Sequence, residues 1–146
     1  MANQSDHPLL APFRWRSIGP VGQGGRVDDI AVHPVDARIW YVGFATGGLW
    51  RTRNNGTTFE PIFDEHETHS IGAIAIAPSD PRVLYVGTGE ANNRQSSSFG
   101  AGVYKSTDGG DSFAYVGLRG TQSIARVVVH PTDANTAWVA AVMELP

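Results

Sequence analysis

Four side chains within five positions, Glu90, Asn92, Asn93 and Arg94, combine a carboxylate, two amides and a cation. Such a set can hydrogen-bond sugar hydroxyls or grip a carboxylate, and Phe99 close by adds a flat face for stacking. The same residues read equally well as a surface loop whose Asn and Ser side chains satisfy their own backbone. A second set, Arg26, Asp28 and Asp29, joins a cation able to hold an anionic ligand to carboxyls able to exchange protons, and Arg126 stands at a related place further on. An Arg–Asp ion pair that ties neighbouring strands together accounts for these residues as well. Asp64-Glu65-His66-Glu67-Thr68-His69 packs two imidazoles and three carboxyls into six residues. A zinc-binding His-Glu-x-x-His needs its imidazoles on one helical face, whereas these two are three apart in a predicted loop, so no metal is expected. His33 and His130 each precede a Pro-x-Asp turn and are read as structural hydrogen-bonding groups.

What holds these groups is a repeat. An apolar run ending in Pro-x-Asp occurs three times, at Pro34, Pro78 and Pro131, with spacings of 44 and 53 residues. Each copy is preceded by an alternating β-branched pattern (Val27, Ile30, Val32; Ile71, Ile74, Ile76; Ile124, Val127, Val129). Seven residues after each Pro comes an aromatic-Val pair, Tyr41-Val42, Tyr85-Val86 or Trp138-Val139. Alternation reads as strand, and Pro followed by Asp presets and caps a turn, so each landmark is a hairpin. A second hairpin follows the first two, Gly48–Arg51 turning to Phe59–Phe63 and Gly102–Lys105 turning to Phe113–Val116. No 3.6-residue period persists, so almost no helix is expected.

Four antiparallel strands per repeat of roughly 45 residues make one blade of a β-propeller. The sequence thus predicts an all-β chain of about three blades in a single partial domain over 1–146. A lone outer strand covers 13–17, blade 1 covers 26–63, blade 2 covers 70–117, and the first half of blade 3 covers 123–142. Such a segment leaves sheet edges and blade faces open. It is completed either by a longer parent chain or by homo-oligomerisation, with the outer strand of one copy finishing the last pair of another.

Both second hairpins carry one turn pattern, Thr52-x-Asn54-x-Gly56-x-x-Phe59 and Ser106-x-Asp108-x-Gly110-x-x-Phe113. The Asn or Asp side chain can accept backbone N–H groups of its own turn, the hydroxyl can join it, Gly can take positive φ, and the aromatic can lock the hairpin to the core. These eight residues form a folding device. Composition narrows the partners: 11 basic against 14 acidic groups give a net charge of −3, which disfavours a phosphate backbone, so nucleic acid is not expected. No apolar run reaches membrane-spanning length and no signal peptide is visible, so no membrane partner is expected and the compartment stays open. Cysteine is absent, which excludes a disulfide framework.

The turn pattern resembles the Asp-box, or BNR-repeat, propellers, a superfamily of sialidases, xyloglucan-cleaving endoglucanases, photosystem assembly factors and sortilin-like receptor domains. Ser106-Thr107-Asp108-Gly109-Gly110-Asp111-Ser112-Phe113 fits the box fully, while the first copy has Asn54 where Asp is usual. Gly47-Gly48-Leu49-Trp50-Arg51-Thr52 and Gly87-Thr88-Gly89-Glu90 are most similar to the large bacterial glycosyl-hydrolase-like members. The resemblance implies that function sits on the face carrying the loops between the second and third strands of a blade and between one blade and the next. There the second blade has 30 residues from Pro78 to Asp108 where the first has 20 from Pro34 to Asn54, so Glu90–Phe99 contains an insertion.

The expected function is a binding or scaffold module for a glycan or a protein partner, using Arg26, Glu90, Asn92, Asn93, Arg94 and Arg126. The alternative is a glycoside hydrolase-like enzyme acting on a polysaccharide, with Asp28 and Glu90 as its catalytic candidates and no cofactor. Hydrolysis needs two carboxyls about 5–9.5 Å apart, and the sequence places no such pair. The xyloglucan-cleaving members carry an acidic residue just before the Gly-Gly that matches Gly47-Gly48, where this chain has Ala45 and Thr46. The Arg-Ile-Pro segment of sialidases is absent.

Overall fold

The computed structural model describes residues 25–92 and 97–143. The outer strand expected at 13–17 lies outside the described residues, as do Asn93 and Arg94. Ten strands run in chain order: β1 Val27–Val32, β2 Trp40–Phe44, β3 Gly48–Thr52, β4 Glu60–Pro61, β5 Ile71–Ile76, β6 Leu84–Thr88, β7 Val103–Ser106, β8 Ala114–Gly117, β9 Thr121–Val129 and β10 Ala137–Met143. They form two four-stranded sheets, β1-β2-β3-β4 and β5-β6-β7-β8, and a two-stranded sheet β9-β10, all antiparallel between sequence neighbours. No helix occurs among the described residues. This is the partial β-propeller expected, with three sheets stacked face to face.

The element ends differ from expectation where a residue has a better use elsewhere. The fourth strand of the first sheet, expected over Phe59–Phe63, shrinks to Glu60–Pro61. Pro61 has no N–H for the ladder, and Phe63 leaves the sheet to become fully buried between the sheets.

Each sheet packs on the next through a repeated fit. Tyr41, Leu49 and Phe63 of the first sheet and its following loop meet Ile71, Ile74, Leu84, Val86 and Tyr104 of the second. Ala73, Ala77, Val83, Tyr85 and Val103 of the second meet Ile124, Val127 and Val129 of the third. At the centre of each junction an isoleucine presses on a glycine: a Cβ on Gly43 would lie 2.5 Å from Ile71 Cγ2, and one on Gly87 would lie 2.3 Å from Ile124 Cγ2. Tyrosine hydroxyls donate across both junctions, Tyr41 to the Gly109 carbonyl and Tyr85 to the Ala134 carbonyl, each at 2.9 Å. Arg51, almost fully buried, donates to the same Gly109 carbonyl and pairs with Glu60 and Asp111, both at 2.7 Å.

The two hairpin turns match nearly bond for bond. Thr52 Oγ1 accepts Gly56 N–H and Ser106 Oγ accepts Gly110 N–H, both at 2.8 Å. Asn54 Oδ1 accepts Thr58 N–H at 2.9 Å, and Asp108 Oδ1 accepts Ser112 N–H at 3.0 Å. Gly56 and Gly110 have φ of 80° and 90°, the left-handed conformation the tight reversal demands. Phe59 closes edge-on against Trp40, and Phe113 edge-on against Phe63. His33 and His130 each accept backbone N–H groups of their own Pro-x-Asp turns through Nδ1.

Candidate functional site

The tethers just described gather at the end of the sheets that carries the β1–β2, β3–β4, β5–β6, β7–β8 and β9–β10 turns. The opposite end carries the loops, stitched by backbone bonds from Gly48 N–H to His69 O, Gly89 N–H to Ser70 O and Gly100 N–H to Gln122 O. The inserted loop returns to the sheets through Thr88, whose hydroxyl donates to Gly102 O at 2.6 Å and accepts Ala101 N–H at 2.7 Å. Ser70 Oγ holds Ser98 O, and Thr68 Oγ1 holds Phe99 O. Sequence reasoning did not single out Ser70 and quoted Thr88 only within Gly87-Thr88-Gly89-Glu90; a hydroxyl set between two glycines was the available signal for Thr88.

This anchoring brings two sequence-distant candidates together. Arg26, which opens the first inner strand, forms an ion pair with Glu90, which leaves β6 in the neighbouring sheet. Each follows a left-handed glycine, Gly25 at φ 91° and Gly89 at φ 87°. A Cβ on Gly89 would lie 2.2 Å from Gln122 O, so only glycine lets the chain turn Glu90 inward here. Asp28 completes the group: its Oδ1 lies 4.0 Å from Arg26 Nε and accepts a hydrogen bond from Asn92 Nδ2 at 3.1 Å. The Asp28 and Glu90 side chains are 2% and 1% exposed, and Arg26 is 35% exposed. Asp28 Oδ2 and Glu90 Oε2 accept no hydrogen bond among the described residues. Two carboxylates buried beside one guanidinium leave unused acceptor capacity inside the cluster, on oxygens that are themselves buried.

Asp28 reaches this position through a β-bulge. The β1–β2 register skips Asp28, the β5–β6 register skips Gly72, and the β9–β10 register skips Ala125. Each lies six residues before Pro34, Pro78 or Pro131, so the bulge belongs to the repeat. A bulge leaves its extra residue unpaired and re-aims the side chain. In the second sheet that slot is filled by backbone, since a Cβ on Gly72 would lie 2.2 Å from Gly89 O; only the first sheet presents a carboxyl there.

The remaining candidates fall elsewhere. Asp29 is a tether, its carboxylate accepting Ile74 N–H of the next sheet at 2.7 Å and Ile30 N–H at 2.9 Å. Arg126 does not join the Arg26 cluster; with Asp29 it lines a groove of about 430 Å³ along the inner strands β1, β5 and β9. Phe99 is exposed. His66 stacks in an aromatic group, 4.2 Å from Phe63 and 5.0 Å from Tyr104, and burial holds its pKa below the ordinary value against the opposing charge of Glu65. Glu67 pairs with Arg119 at 2.6 Å.

Stacked antiparallel sheets with a polar cluster at the loop end define a propeller-type repeat. No protein-family model matches the chain. Among curated proteins it is 27% identical over 147 residues to a xyloglucanase of Hypocrea jecorina, an alignment covering 92% of this chain and 17% of that protein. It is 25% identical over 135 residues to a xyloglucanase of a Paenibacillus species, covering 84% and 13%. Among solved structures it superimposes on an ancestral GH74 enzyme with a TM-score of 0.62 at 24% identity, over 78% of this chain and 16% of that one. The GH74 enzyme of Niastella koreensis gives 0.59 at 24% identity, over 77% and 16%, and the GH74 xyloglucanase of Xanthomonas campestris gives 0.58 at 18% identity, over 77% and 18%. These likenesses show the fold. The chain spans under a fifth of the length of each relative.

Proposed function

We propose that this chain is a segment of a glycoside hydrolase-like β-propeller of the Asp-box type that acts on a polysaccharide of the xyloglucan class. In this reading the Arg26–Asp28–Glu90–Asn92 cluster is its point of sugar contact. The observation that carries this is the convergence of Asp28 and Glu90, from neighbouring sheets, around one guanidinium at the loop end. Two ionic acceptors, a guanidinium and an amide match the alternating donors and acceptors of a glycan. The resemblance of xyloglucan-cleaving members to this sequence and the xyloglucanase relatives support the choice of substrate.

The acid those members carry before Gly-Gly has no counterpart here, because Ala45 is buried and carries no acid, and Thr46 offers only a hydroxyl. In this reading Asp28 and Glu90 are the catalytic candidates. The test is affinity electrophoresis in gels containing xyloglucan, mixed-linkage β-glucan or an unrelated α-glucan, with release of reducing ends measured alongside. Retardation by xyloglucan that Glu90→Gln weakens about tenfold, the loss of one charge-assisted bond, is expected. Migration unchanged in all three polysaccharides would overturn the proposal.

A further inference from the structure

One position of the repeat holds Glu90 from two neighbouring sheets. Aligned on the turn prolines, Arg26 and Ser70 each stand eight residues before their Pro, Pro34 or Pro78. Their carbonyls do the same work: Arg26 O accepts Ala45 N–H and Ser70 O accepts Gly89 N–H, both at 2.9 Å, and each donor stands eleven residues after the same Pro. Their side chains then part. Arg26 reaches into the next sheet and pairs with the Glu90 carboxylate, whereas Ser70 stays with its own sheet and donates from Oγ to Ser98 O at 3.1 Å.

Ser98 O also accepts Glu90 N–H, again at 3.1 Å. One carbonyl therefore closes the neck of the inserted loop, where the chain departs at Glu90 and returns at Ser98, and the Ser70 hydroxyl clamps that carbonyl. The clamp is supported in turn, because Thr68 Oγ1 accepts Ser70 N–H and donates to Phe99 O, both at 3.1 Å. Ser70 is 2% exposed, so a lost hydroxyl is not readily replaced by solvent.

We propose that Ser70 is a positioning residue for the loop-end cluster. By fixing the neck it sets where Glu90 enters the Arg26 pair and where Asn92, two residues on, meets Asp28. Its bearing on sugar contact rests on the reading above, whereas the clamp rests on these bonds alone.

Amide hydrogen exchange of the whole chain, followed residue by residue by NMR, tests the clamp without any ligand. In S70A the Glu90 amide should exchange about tenfold faster, the loss of one hydrogen bond at the neck, while amides of β5 and β6 keep their wild-type rates. Unchanged Glu90 exchange, or an acceleration shared equally by β5 and β6, would overturn the clamp. Affinity electrophoresis in xyloglucan tests the link to the site. S70A should be retarded less than wild type, and S70A/E90Q should migrate as E90Q alone, since a residue acting through Glu90 adds nothing once Glu90 is altered. A double variant weaker than E90Q, or S70A retarded as strongly as wild type, would overturn that link. A wild-type chain that xyloglucan does not retard would overturn the sugar reading while the exchange result still decides the clamp.

Discussion

Asp108 and Asn54 occupy one position in two copies of the same turn, yet only Asp108 carries charge. Burial raises the Asp108 pKa, but hydrogen bonds from the Ser112 and Ser106 hydroxyls and from backbone N–H groups outweigh it and hold the value at about 2. A depressed folded-state pKa means the turn's contribution is complete above the ordinary aspartate value and is lost as acid protonates it, between about pH 4 and pH 2. Asp108→Asn should therefore flatten that part of the stability–pH curve, and the check is urea denaturation across the interval. His66 acts higher on the scale. Its pKa is lowered by burial, so the unfolded chain takes up the proton first and stability falls as pH drops below about 6.5. His66→Phe should remove this slope in thermal melts from pH 7.5 to 5.5. At the loop end, Asp28→Asn should weaken xyloglucan retardation while leaving the melting temperature almost unchanged, because an amide oxygen can still accept the Asn92 hydrogen bond.

At the scale of elements, the hairpins and their turns were legible because their signals are local: Pro-x-Asp, the Asn54 and Asp108 patterns and the aromatic-Val pairs each specify structure within ten residues. The fourth strand of the first sheet was overextended because the run to Phe63 reads as strand until the inter-sheet cavity claims that ring. The bulge was invisible to period-two reading, since one extra residue shows only when Asp28, Gly72 and Ala125 are aligned on their prolines. The cluster was out of reach for a different reason: Asp28 and Asn92 are 64 positions apart, and only stacking of two sheets unites them. The junction fit gives a direct test. Gly87→Ala places a Cβ 2.3 Å from Ile124 Cγ2 and should cost about 1–3 kcal/mol in chemical denaturation.

The whole molecule divides its labour between its ends. Tyrosine hydroxyls, Arg51 and the two turns tie the sheets together at one end, while Arg26, Asp28, Glu90 and the inserted loop occupy the other. The stack was legible from the 44- and 53-residue spacings, whereas which faces meet required the glycine contacts. The recurring bulge carries a broader consequence. It supplies each repeat with a mounting point that lies outside the strand register, so natural variation or an engineer could install new chemistry where that point is open. At Ala125, which no junction fills, such grafts should be tolerated; at Gly72, already crowded by neighbouring carbonyls, they should not.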